Sequence, residues 1–184
     1  EDLSGMVPAS GTNALGITNR GGNNTGIKIN DIFQGLPIEA DVGKTFRISL
    51  KVYADKSAPL YKENATSDAN NTTALTDAEK ETVTETAFKL CYGGPDAQYY
   101  KYRTAALSLA SAVVPFDTWT TISGELTITE DMLDNGSTDT TNKTNPLISS
   151  IRIDQTNAKG GLEQPFCNTF YIDDLTVSEV PPAQ

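Results

Sequence analysis

The sequence predicts an all-β fold, an antiparallel β-sandwich of the jelly-roll kind. Two observations carry that expectation. Apolar and polar residues alternate with period 2 through most of the apolar segments, and no stretch has the apolar spacing of a long amphipathic helix. Polar turns separate about eight such segments, the pattern of a sandwich rather than of a mixed α/β chain.

The elements follow in order. Weak strands are expected at 14–18 and 25–33. Residues 44–54, KTFRISLKVYA, give the clearest signal: Phe46, Ile48, Leu50 and Val52 share one face, and Arg47, Ser49, Lys51 and Tyr53 the other. TDAEKETV, 76–83, reads as a short helix, because Thr76 can cap it and Glu79 completes a capping box. Further strands are expected at 85–92 and 98–109. WTTISGELTI, 119–128, groups Ile122, Leu126 and Ile128; LISSIRID, 147–154, pairs Ile151 with Ile153 and leaves Arg152 and Asp154 opposite. The last strand, 168–179, has room for a bulge at Asp173–Asp174. Two long polar insertions, 55–82 and 130–146, exceed the usual loop length. Each is either plain surface loop or the wall of a groove.

A chain of 184 residues suits one domain. Residues 1–180 are expected to form a single monomeric module, and 181–184, in VPPAQ, to begin a linker. The net charge of -10 argues against nucleic acid or an anionic membrane as partner. No apolar run approaches the roughly 20 residues that span a bilayer. Nothing reads as a signal peptide, which fits a mature chain, a piece of a longer polypeptide or a cytosolic protein. Histidine is absent, which removes the commonest general base and zinc ligand. Cys91 and Cys167 form no CxxC motif and either pair or stay as buried thiols. No acidic pair stands in a recognisable catalytic motif, and there is no GxSxG, P-loop or GxGxxG, so no enzyme is expected.

Binding of an uncharged polar ligand remains. Sugars stack on aromatic rings and pair their hydroxyls with planar polar groups. AQYYKYRT, 97–104, supplies Tyr99, Tyr100 and Tyr102. An unbroken strand there would turn Lys101 and Arg103 inward, so a bulge or a half-exposed strand must intervene, and alternation does not say which tyrosines share a face. Arg152, Asp154 and Gln155 place a donor fork, an acceptor and an amide close together; Tyr53 lies in an outward row with Lys51 and Arg47. A solvated sheet face with cross-strand ion pairs explains both rows equally well. TNRGGNNTG, 18–26, puts Arg20 among glycines that would let a chain-like ligand come close, or that let Arg20 bond to loop carbonyls. Trp119, the one tryptophan, opens a strand and is assigned to packing.

Four stretches appear in a telling succession: ALGITNRGGNNTGIKIN, GLPIEADVGKTFRISLKVYA, DTWTTISGELTI and FYIDDLTVSE. Together they resemble the carbohydrate-binding modules of families 22, 4 and 9, family 22 most nearly, over most of residues 14–180. The resemblance implies a jelly roll with a ligand groove on one sheet. It implies a structural Ca2+ ion held partly by Asp173 and Asp174, with Glu1 and Asp2 standing in for an N-terminal ligand. It also implies a secreted or bacterial cell-surface setting, and a role in anchoring a covalently linked catalytic domain, such as a xylanase, on xylan or a related β-glycan. Arg20 matches the family's Asn-Arg segment and is the first choice for a hydrogen bond to xylo-oligosaccharide. The family's stacking tryptophan is replaced by Asn23 or Asn24, of which Asn24 joins the candidate set, and its aromatic–acid strand by Arg152 and Asp154. The expected function is therefore a non-catalytic xylan-binding module; the alternative is a structural or adhesive β-sandwich of a cell-surface or extracellular protein, with no glycan site.

Overall fold

The computed structural model describes residues 7–18, 26–30, 32, 41–62, 73–93, 108–130, 150–156, 162 and 166–182. In order they form β1 (Leu15–Ile17), β2 (Ile27–Asn30), β3 (Thr45–Ala54), β4 (Tyr61–Lys62), β5 (Thr73–Ala74), α1 (Asp77–Thr82), β6 (Glu85–Gly93), β7 (Ser108–Pro115), β8 (Thr120–Thr127), β9 (Ser150–Gln155), β10 (Phe166–Cys167) and β11 (Phe170–Val180).

Alternation decides where each strand goes. Along β3, Phe46, Ile48, Leu50, Val52 and Ala54 are buried, while Arg47 is exposed and Ser49, Lys51 and Tyr53 are half-buried. β3 lies inside a four-stranded antiparallel sheet, A, of order β1-β11-β3-β8. A second antiparallel sheet, B, has the order β2-β9-β6-β7. The two apolar faces meet in one core: Phe88 of β6 and Phe170 of β11 touch edge to face with ring centroids 4.7 Å apart, among fully buried Ile48, Leu50, Ile122, Ile151 and Ile153. Each such side chain contributes about 1.5–3 kcal/mol on burial. Gly124 of β8 closes one side of the sandwich, because a Cβ there would meet the Leu109 carbonyl oxygen of β7 at 2.8 Å.

The 55–82 insertion is, in its described part, more than a plain surface loop. It supplies β4 and β5, which pair with β10 in a small third sheet, and its Leu60 and Leu75 join the core with Val83 and Phe166. Phe166 stacks on Phe116 at 6.2 Å, so this layer seals one end of the sandwich. The capping box forms as expected: Thr76 Oγ1 accepts from the Glu79 N–H at 3.3 Å, and Glu79 Oε2 from the Thr76 N–H at 3.0 Å.

Of the strand expected at 98–109, residues 98–107 lie outside the described residues, as do 131–146 of the second insertion; residues 108–109 open β7, which runs on to Pro115. Cys91 and Cys167 are both buried, on β6 and β10, and do not form a disulfide with each other. The bulge at the paired aspartates is present. Asp173 pairs with Lys51 and Thr176 with Ser49, so Asp174 and Leu175 together stand opposite Leu50. Asp174 takes the left-handed backbone (φ 52°) that this extra residue requires.

Candidate functional site

β9 carries two rows. Ile151 and Ile153 enter the core, and Arg152 and Asp154 stand on the face of sheet B that turns away from it. Register places Cys91 beside Arg152 and Lys89 beside Asp154 on β6. Arg152 donates from Nε (2.7 Å) and from Nη2 to a single oxygen, Asp154 Oδ2. The two side chains keep only 13% and 11% of their exposure. A solvated sheet face looks different: Arg47 and Glu125 pair across the outer face of sheet A at 55% and 47% exposure. The outer face of sheet B at β9 is therefore sheltered, although none of the described core residues packs on it. Burial there pushes the Cys91 thiol up from its ordinary value, against the opposing pull of Lys89.

Asp154 Oδ1 is buried and has no hydrogen-bond partner among the described residues. A carboxylate oxygen in that condition is costly and uncommon. It lies against Gly26, where a Cβ would overlap both Oδ1 and the Ile153 carbonyl oxygen. Gly26 closes the stretch TNRGGNNTG, which leads from β1 in sheet A to β2 in sheet B, so one foot of that stretch stands on Asp154. The connection 94–107, with Tyr99, Tyr100 and Tyr102, leaves sheet B at Gly93 beside Ser150 and returns at Ser108 beside Cys91. Both stretches that carry predicted ligand residues thus enter or leave sheet B next to β9. Arg20, Asn24, Tyr99, Tyr100 and Tyr102 themselves lie outside the described residues. Substituting Gly26 by alanine is expected to cost about 1–3 kcal/mol by forcing β2 off β9; a melting curve unchanged from the wild type would contradict that packing.

Two predicted ligand residues are placed elsewhere. Tyr53 lies on the outer face of sheet A and does not join Arg152 and Asp154. Its ring packs on Trp119 (5.4 Å between centroids) and Tyr171 (6.3 Å), and its hydroxyl donates to Asp117 Oδ1 at 3.4 Å. Desolvation, then the Asp117 carboxylate, raises its pKa. Gln155 shares the inward row of Ile151 and Ile153 and is fully buried. Its Nε2 donates to Thr86 Oγ1 and Asn168 Oδ1, each at 2.7 Å, and its Oε1 accepts from the Asn168 N–H at 3.4 Å. That amide links β6, β9 and the end of β10 from inside the core. The sequence reading passed over Lys89 and Gly26. Lys89 could have been found, since FKLC alternates as plainly as IRID.

Asp173 and Asp174 stand on the outer face of sheet A. Glu1 and Asp2 lie outside the described residues. All four oxygens of the aspartate pair already accept from protein donors. Asp173 Oδ1 takes the Asp174 N–H (2.7 Å) and Oδ2 the Ser10 N–H (3.1 Å). Asp174 Oδ1 takes the Ser10 hydroxyl, and Oδ2 faces the Lys51 ammonium at 2.9 Å. Lys51, then Ser10, holds the Asp174 carboxyl below the usual carboxylate range. Calcium takes six to eight oxygens, and no group of three or more acidic or other ligating side chains gathers among the described residues. This donor set does not fit the ion.

No family model matches the sequence, and no curated protein does. Solved structures do. The CBM22-2 xylan-binding domain of Paenibacillus barcinonensis Xyn10C superposes with a TM-score of 0.52 at 12% identity, over 95% of this chain and 84% of that one. The CBM22-1–GH10 modules of Clostridium thermocellum endo-1,4-beta-D-xylanase 10B, complexed with xylohexaose, give 0.51 at 16% identity, over 93% of this chain and 22% of that one. The CBM22-1–CBM22-2 tandem of P. barcinonensis Xyn10C gives 0.51 at 11% identity, over 91% and 39%. With two antiparallel sheets around one core and these neighbours, the chain has the β-sandwich jelly-roll fold of the family 22 carbohydrate-binding modules.

Proposed function

We propose that this chain is a non-catalytic carbohydrate-binding module that takes a single xylan or related β-glycan chain on the outer face of sheet B, at Arg152 and Asp154. One observation carries the reading: a sheltered ion pair on the outward face of sheet B, with a carboxylate oxygen that no described donor satisfies. Arg152 fixes Oδ2 from two nitrogens and leaves Oδ1 unsatisfied; Oδ1 is buried against Gly26, so a ligand hydroxyl that bonds to it must displace that contact. Hydrogen bonds to a charged acceptor are about twice as strong as neutral ones and suit a neutral polyol. The fold supports the same reading, since one neighbour is described as xylan-binding and another holds xylohexaose. In a longer polypeptide the module would keep an attached glycanase, outside the cell, on its substrate.

The test is isothermal titration calorimetry with xylohexaose, cellohexaose and mannohexaose. Saturable heat with xylohexaose is expected, with an affinity in the micromolar to millimolar range, roughly -4 to -8 kcal/mol. Heat with another of the three keeps the module and changes its glycan. A folded protein that binds none of them would leave the structural or adhesive β-sandwich as the better reading; the use of Tyr53 and Trp119 in packing is the observation that favours it.

A further inference from the structure

The residues where a cation would be sought do other work. A hydrogen-bonded group can replace a structural ion if it supplies positive charge and fills the same acceptors. At the β11 bulge each of the four carboxylate oxygens of Asp173 and Asp174 has its own donor, and the charge comes from Lys51 on the neighbouring strand. In a regular strand Asp174 would point into the core after Asp173 points out. The extra residue and the left-handed backbone at Asp174 turn it outward, within reach of Lys51. Ser10 belongs to neither strand. Its N–H reaches Asp173 and its hydroxyl reaches Asp174, so the aspartates grip the segment that precedes β1. Three residues earlier the Val7 carbonyl accepts from Trp119 Nε1 at 2.8 Å, at the start of β8. Residues 7–10 thus run across the outer face of sheet A from its β8 side to β11, and β1 completes the crossing by pairing beyond it.

We infer that the Asp173–Asp174 bulge is a metal-free clasp, in which the Lys51 ammonium and Ser10 take the place of a structural cation and strap residues 7–10 over sheet A. This inference is independent of where, or whether, a glycan binds. Thermal unfolding followed in EDTA and in millimolar CaCl2 separates the two possibilities. A structural calcium site held at 100 times its Kd would raise the Tm by about 5–10 °C. The clasp predicts the same Tm in both solutions. Lys51→Met is expected to lower it by about 2–4 °C, in keeping with one half-exposed ion pair and its hydrogen bonds.

Trp119 gives a second readout, because it is the only tryptophan and one end of the strap rests on it. Acrylamide quenching of its fluorescence is expected to rise in Lys51→Met and in the milder Ser10→Ala, and to be indifferent to EDTA in the wild type. A Tm that climbs with calcium and falls with EDTA would overturn the inference. So would variants at Lys51 and Ser10 that melt and quench like the wild type. Should Lys51→Met not fold, Ser10→Ala alone decides.

Discussion

Asparagine in place of Asp154 is expected to weaken xylohexaose binding by about tenfold or more, with a smaller loss of stability than alanine would bring, because Arg152 keeps a hydrogen-bond acceptor but loses its counter-charge. The amide can keep its oxygen toward Arg152, where Nε and Nη2 both donate to Oδ2. Its NH2 then stands where Oδ1 stood against Gly26. A charged acceptor becomes a neutral donor, with almost no change of volume. A hydrogen bond to a charged group contributes about 1.5–3 kcal/mol, which converts to roughly one to two powers of ten in Kd. Calorimetry on both proteins, with a melting curve for each, gives the answer. Wild-type affinity in the asparagine variant would remove Asp154 from the binding site and point to another face. Alanine is a poorer probe, because it would leave the sheltered Arg152 without its carboxylate, and that alone destabilises.

The second large effect is on stability. Gln155→Leu is expected to lower it by about 3 kcal/mol, or roughly 6–12 °C in Tm for a domain of this size. Leucine fits the volume and the apolar surroundings but takes away the hydrogen bonds that the Thr86 hydroxyl, the Asn168 side-chain oxygen and the Asn168 N–H make to Gln155. Each buried polar group left without a partner costs about 1–3 kcal/mol, partly relieved by local shifts. Glycan affinity at temperatures where the variant is folded should not move. A stable variant that no longer binds would return Gln155 to the ligand site, against its burial.

These two residues also show what could be read from the sequence. Alternation assigned the faces of β3, β8 and β9 correctly, because a period of 2 is decided residue by residue and Ile, Leu, Val and Phe are unmistakable. The same parity already separates Gln155 from Asp154, since 151, 153 and 155 fall on one side. Grouping the three polar residues by nearness in sequence hid that. Tyr53 illustrates another limit. Its outward direction was legible, but which of two sheets it belongs to depends on pairing between distant strands, and no local pattern encodes that. The run of β7 beyond residue 109 was not legible because Ala110, Ser111 and Ala112 bury too little area to stand out. The capping box and the bulge were legible for the opposite reason: both are local chemistry, set by residues three apart or adjacent.

The place of β11 in sheet A governs how the chain is made. It is the last of the described strands in chain order, yet it lies between β1 and β3. β1, near the other end, pairs in that sheet only with β11. A ribosome adding about 5–20 residues per second needs on the order of ten to thirty seconds to go from one partner to the other. Once β8 has been made, β3 can pair with it, but the other edge of β3 stays open until β11 follows, with Ile48, Leu50 and Val52 beside it. Nascent chains released before residue 170 would keep that edge bare, a template for pairing with another molecule. The domain should fold slowly for its size, since the sheet is built from contacts between strands far apart in sequence.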